Sequence, residues 1–126
     1  MKVKNVTIGI KSVEEVLNET KAVMKRLERG EKVKKKKPGI YFENLETMRK
    51  AITEERVKIL KVIKERHPES IYELAKMLHR NIKNVSDDVH YLADLELIEL
   101  EKAKSNGRDK TIPFVNYDKI LLEIQV

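Results

Sequence analysis

The chain has no cysteine, only four glycines and three prolines, and no long apolar run. Without cysteine there is neither a disulfide framework nor a zinc finger. The four glycines do not fall in the pattern of a phosphate-cradling loop. No segment approaches the roughly 18 to 20 apolar residues that cross a bilayer, and residues 1–10 lack the apolar stretch of a signal peptide. The expectation is a cytoplasmic protein with no membrane partner. Histidine is scarce as well: His67, His79 and His90 show no HExxH spacing and have no cysteine to join them, so no metal or cofactor is expected. The adjacent Asp87 and Asp88 point in different directions on a helix and cannot act as paired carboxylates. The aspartate-asparagine-histidine group over 84–90 has no nucleophile with an evident base and orienter, and an enzyme is not expected.

Charge is plentiful and unevenly spread. The formal net charge is +6, from 27 lysines and arginines against 21 aspartates and glutamates in 126 residues. Residues 21–37 hold nine basic and two acidic residues, and 102–110 hold four basic and one acidic, whereas 53–101 hold eight basic and eleven acidic. Electrostatic attraction to a polyanion must therefore come from the first two segments. A chain of this length builds one modest core, or a small domain with added dimerisation elements.

The most informative stretch is 70–100. Ser70 offers a cap, with Glu73 as its capping-box partner, and Ile71, Leu74, Ala75 and Leu78 then recur at helical spacing. A second start follows at Asn81, after which Ile82, Val85, Val89, Leu92 and Leu95 line one face. The intervening turn spans about three or four residues, which suits a helix-turn-helix. A preceding helix is capped by Thr53, carries Val57, Ile59, Leu60, Val62 and Ile63 on its apolar side, and stops at His67 before Pro68. Beyond Leu95, two short apolar runs flank Ser105-Asn106-Gly107-Arg108-Asp109, a hairpin tip and thus a wing.

With the apolar stripe buried, the outer face of the second helix presents Lys83, Asn84, Ser86, Asp87 and His90 as candidate base-reading residues. Asp88 sits beside the stripe, where a hydrogen bond within the domain would hold it. Lys102, Lys104, Arg108 and Lys110 of the wing, with Arg80, are candidates for phosphate or minor-groove contact, although a purely structural, solvated hairpin would also carry charge.

Residues 1–10 alternate as a strand, with Val6, Ile8 and Ile10 on one side. Ser12 and Glu15 then open a long helix whose stripe of Val13, Val16, Leu17, Val23, Met24 and Leu27 needs a partner, either the same subunit's core or a second copy. Gly30 ends it. Lys34, Lys35, Lys36 and Lys37, followed by Pro38-Gly39, read as a basic strap able to lie along phosphates, or as a plain solvated linker. Ile120, Leu122, Ile124 and Val126 alternate, giving a strand that pairs with the N-terminal one, or a closing helix. The organisation expected is an N-terminal strand and dimerisation helix (1–30), a basic linker (31–39), a winged helix-turn-helix domain (40–117) and a C-terminal strand (118–126). The fold class is α+β.

The chain resembles MarR-like winged-helix regulators, and among them a group of archaeal and bacterial proteins inferred to bind DNA. The resemblance rests on Phe42-Glu43-Asn44-Leu45, Thr53-Glu54-Glu55-Arg56, Ser70-Ile71-Tyr72-Glu73-Leu74-Ala75, Arg80, Asn84-Val85 and Asp88-Val89. It continues through Leu92, Leu95-Glu96-Leu97-Ile98, Gly107-Arg108 and Tyr117-Asp118-Lys119-Ile120. It implies that the helix over 81–95 reads DNA, that Arg108 belongs to a wing near the backbone or minor groove, and that the protein regulates transcription. His79 and Glu96 depart from it, standing where such proteins commonly carry glycine. If those sites need positive φ, each costs about 1 kcal/mol.

The expected partners are double-stranded DNA and a second copy of the chain, since one short helix reads few base pairs. The alternative is a winged-helix module, adaptor-like or antitoxin-like, that binds protein through its acidic 53–101 region.

Overall fold

The computed structural model describes residues 4–32 and 39–126. The expected strap at Lys34, Lys35, Lys36 and Lys37 lies outside the described residues. The element order is β1 (Asn5–Ile10), α1 (Val13–Glu28), β2 (Gly39–Phe42), α2 (Leu45–Ala51), α3 (Glu54–Arg66), α4 (Ile71–Leu78), α5 (Ile82–Asp94), β3 (Glu99–Ser105), β4 (Arg108–Phe114) and β5 (Lys119–Glu123). The chain forms two compact units, one from 1–51 with 117–126, the other from 52–116. It is an α+β protein.

The first unit is a three-stranded sheet in the order β2-β1-β5, parallel throughout. A parallel neighbour requires a crossover, and α1 lies within the one joining β1 to β2. The register sets Ile8 beside Ile40 and Leu122, so one face collects the alternating apolar residues of all three strands. Ile8 is wholly buried there. On the other face the Tyr41 ring lies over Gly9 and Gly39. A Cβ on either glycine would come within 3.0 Å of that ring, which explains the missing side chains. Lys11 caps the arrangement, its Nζ 4.1 Å from the Tyr41 centroid and 3.1 Å from Glu19 Oε2. The hydrogen bond to Glu19 is the main cause that raises the Lys11 pKa.

Residues 39–51 belong to this unit and not to the helices that follow, a difference from the expected boundary at 40. The reason is backbone pairing: β2 hydrogen-bonds to β1, a contact 30 or so residues apart in sequence that periodicity cannot register.

The second unit is a winged helix-turn-helix arrangement of α3, α4, α5 and the β3-β4 hairpin. Ile59, Leu60, Ile63, Leu74, Ala75, Leu78, Val85, Val89 and Leu92 form its core, with Leu97 and Ile98 closing it. Thr53 Oγ1 accepts from Arg56 N at 3.2 Å, Ser70 Oγ from Glu73 N at 3.0 Å and Asn81 Oδ1 from Lys83 N at 2.8 Å, so each helix start satisfies an otherwise orphaned amide.

The helix ends share one device. His67, His79 and Glu96 all adopt positive φ, at 48°, 54° and 65°. After α4, Arg80 N donates to Ala75 O at 3.1 Å, and after α5, Leu97 N donates to Leu92 O at 2.9 Å, the six-residue closure of a Schellman ending. Such an ending requires a left-handed residue, and His79 and Glu96 fill that position in place of glycine. After α3 the next residue is Pro68, which has no amide hydrogen. His67 N instead makes the bond to Ile63 O, at 3.1 Å.

Candidate nucleic-acid interface

The α5 helix divides cleanly along its length. Val85, Val89 and Leu92 are fully buried, while Lys83, Asn84, Asp87 and His90 are exposed and Ser86 is half-buried. At 100° per residue Lys83, Asp87, His90 and Asp94 lie opposite the seam, with Asn84 and Tyr91 on one flank and Ser86 on the other. Lys83 and Asn84 occupy the first turn, beside the Asn81 cap. His90 Nδ1 lies 2.7 Å from the Ser86 carbonyl oxygen, which can only accept, so Nδ1 carries the proton. In the neutral ring Nε2 is then an acceptor. His90 thus pairs with Ser86 and not with Asp87.

Asp88, next to the exposed Asp87, has a different role. Its Oδ1 accepts from Arg56 Nε at 3.2 Å and its Oδ2 from Arg80 Nη2 at 3.1 Å. All three side chains are at least three-quarters buried. Arg80 also approaches Glu55 at 3.4 Å, and the Arg56 guanidinium stacks 4.0 Å from the Tyr91 centroid. This brace fixes α5 against the start of α3 and against the turn that precedes it. Arg80 is therefore engaged inside the unit, unlike the exposed Lys102, Lys104 and Arg108 of the wing.

The wing is a tight hairpin. Asn106 and Gly107 both have positive φ, 53° and 75°, as a two-residue type I′ turn requires, and Asn116 Nδ2 donates to Glu99 Oε2 at 2.7 Å near its base. The register opposes Lys102 to Thr111, Lys104 to Asp109 and Ser105 to Arg108. Strand alternation then places Lys102 and Lys104 on one face and Arg108 and Lys110 on the other. The four basic residues flank the hairpin on both sides.

Ile82 departs from the buried stripe expected for it. It is 45% exposed, because it opens α5 at the edge of the seam, directly after the turn. With Tyr72, 58% exposed and overlain by Lys76 Nζ at 4.6 Å, it lines a shallow groove that also includes Ala75, His79 and Arg80. The signal was its position one residue past the cap, at the open end of the seam. An apolar side chain there is suited to a thymine methyl group.

The residues of the expected dimerisation stripe lie on α1, which buries none of its side chains. Among the described residues no cluster of histidine and acidic side chains could hold a metal ion, and no helix is long and apolar enough to cross a membrane.

The sequence model of the HVO_A0114 family matches residues 51–122, more than half of the chain and the whole of the winged unit. The chain belongs to the HVO_A0114 family. No curated protein matches it. A solved structure similar to this HVO_A0114-family chain is a "possible transcriptional regulator" from Methanosarcina mazei Go1. The two are 16% identical, with a TM-score of 0.47 over 60% of this chain and 67% of the other. That likeness is too loose to carry an argument.

Proposed function

We propose that this protein binds specific double-stranded DNA sequences as a homodimeric, MarR-like transcriptional regulator of the cytoplasm. In this reading α5 lies in the major groove and the 102–110 wing meets the backbone or minor groove. The observation that carries it is the polar, exposed side of α5, held by a capped turn and an internal ionic brace. Asn84 offers the donor and acceptor pair that fits adenine, Lys83 a donor for guanine or phosphate, and His90 Nε2 an acceptor for an exocyclic amino group. Ser86 and Asp87 complete the face, Asp87 being tolerable only near a cytosine amino group. Basic residues on both sides of the wing favour a tip placed between the two walls of a minor groove over a hairpin lying flat. Lysines 34–37 would add nonspecific attraction.

A second reading has one observation behind it. Asp87 and Asp94 leave the outer side of α5 without net positive charge, and 53–101 as a whole is acidic. A basic protein would suit that surface better than a duplex. Salt separates the two. Selection from random duplexes, followed by titration of the winner, should show affinity falling on the order of a thousandfold between about 50 and 200 mM salt if some six phosphates are contacted. Failure to enrich any duplex at low salt would leave the protein-binding module as the better account.

A further inference from the structure

His90 stands on the polar side of α5 with its ring held in one orientation. Nδ1 lies 2.7 Å from the Ser86 carbonyl oxygen and 3.3 Å from Ser86 Oγ, both on the preceding turn. The carbonyl can only accept, so Nδ1 keeps a proton in both charge states of the ring. Nε2, across the ring from that anchor, is the atom that changes: it accepts when the ring is neutral and donates when the ring is charged. We propose that His90 makes base preference depend on pH, favouring cytosine at one position of the bound duplex when neutral and guanine when charged. The inference rests on the DNA-binding reading above and concerns the regulation of that same surface.

The choice of bases follows from the major groove. A cytosine edge offers only the N4 amino donor, whereas a guanine edge offers the O6 and N7 acceptors. Adenine presents N7 beside its N6 amino group and so suits either state of the ring, which makes cytosine against guanine the discriminating pair. Along the helix His90 lies about 10.5 Å beyond Lys83 and about 4.5 Å beyond Asp87, on the order of three and one base-pair steps. A helix lying along the groove sets these side chains against different base pairs, so the change at His90 is confined to its own.

The surrounding charges leave Nε2 to the solvent side. Lys83, Asp87 and Asp94 share this side of α5, and among the described residues none of them is ion-paired to His90, whose hydrogen bonds go to Ser86 alone. The helices packed against α5 are α3 and α4, which meet it on the seam side. The charged groups gathered there, Glu55, Arg56 and Arg80, surround Asp88, about 160° around the helix from His90. Histidine is the side chain whose charge ordinarily changes between about pH 5 and 8, so the change falls within a range the folded protein can be assayed over.

The test begins with duplexes selected from a random pool by the full chain at about pH 8 and again at about pH 5.5. Versions of each selected duplex with one base pair changed at a time are then titrated at both pH values. The expected result is one position at which the ratio of affinities for cytosine and guanine shifts about tenfold or more between the two, and no such position for His90→Ala. Protonation of His67 and His79 adds charge that raises affinity for all duplexes alike, so the ratio is the quantity read. Circular dichroism reports whether His90→Ala is folded at both pH values. Nitrogen NMR of the free protein gives a reading without DNA: at about pH 8 the His90 proton should sit on Nδ1. A proton on Nε2 instead, a base preference indifferent to pH, or a His90→Ala protein that keeps the shift would overturn the proposal and leave duplex binding in place. Enrichment of no duplex at either pH would remove the DNA-binding reading and this one with it.

Discussion

Two neighbouring aspartates should behave as opposites. Asp88 holds two arginines through hydrogen bonds of 3.2 and 3.1 Å, and the three side chains are only 18–25% exposed. Asp88→Ala would leave the Arg56 and Arg80 guanidinium groups facing one another with their shared counter-charge gone. Breaking a fully buried pair from one side costs about 3–5 kcal/mol. Residual solvent access at this site reduces that to about 2–3 kcal/mol, still a large share of the roughly 5–15 kcal/mol that stabilises a typical domain. Asp87 is exposed on the opposite side, and Asp87→Ala should alter stability by no more than about 0.5 kcal/mol. It should also strengthen binding to duplexes that offer Asp87 no cytosine amino group, since a carboxylate is removed from the proposed groove surface. Urea denaturation of the two variants, followed by circular dichroism, measures the difference as a change in midpoint at constant slope. An Asp88→Ala protein as stable as the wild type, or an Asp87→Ala protein as unstable as Asp88→Ala, would refute the brace.

Three other outcomes follow from the structure. Glu96→Gly and His79→Gly each relieve a left-handed non-glycine residue and should leave stability unchanged or raised by up to about 1 kcal/mol, whereas the same change at a right-handed helical site would lower it; thermal melts decide. Leu92 is completely buried in the centre of the winged unit, so Leu92→Ala should cost about 2–5 kcal/mol by urea titration. Burial pushes the Tyr117 hydroxyl up to about 12. Because the folded state favours the neutral phenol, the stability that Tyr117 contributes is complete below the ordinary tyrosine value of about 10 and declines as pH rises towards 12. Tyr117→Phe should therefore flatten the loss of stability over that interval, measured by urea midpoints at successive pH values; an unchanged alkaline slope would contradict the assignment.

What was legible in the sequence was local. Ser12, Thr53, Ser70 and Asn81 each signal a helix start because a cap needs only a side-chain oxygen two or three residues from an amide. Asn106-Gly107 signals the hairpin because few other pairs accept two positive φ angles. Adjacent residues also separated correctly where helical phase decides: Asp88 falls at the seam, Asp87 outside it. What was not legible depends on distant chain. Periodicity assigns α1 an apolar stripe without saying what covers it, and it groups Ile82 with Val85 and Val89 although Ile82, at the open end of the seam, stays 45% exposed. The parallel alignment of β1 with both β2 and β5, and with it the placement of 39–51, is a matter of long-range pairing that no local pattern encodes. Arg80 illustrates the same limit within the candidate site. Its position beside the turn suits a phosphate contact, yet Asp88, eight residues away, and Glu55, on another helix, draw it inward.

The central claim is that the exposed side of α5 reads base edges. Its most direct measurement is the affinity of Lys83→Ala and Asn84→Ala for a selected duplex and for that duplex with each base pair changed in turn. The account predicts that Asn84→Ala loses about 1–3 kcal/mol on the selected site and becomes indifferent to one particular base pair, while Arg108→Ala weakens all duplexes alike. Equal affinity of the α5 variants and the wild type for every duplex would contradict it.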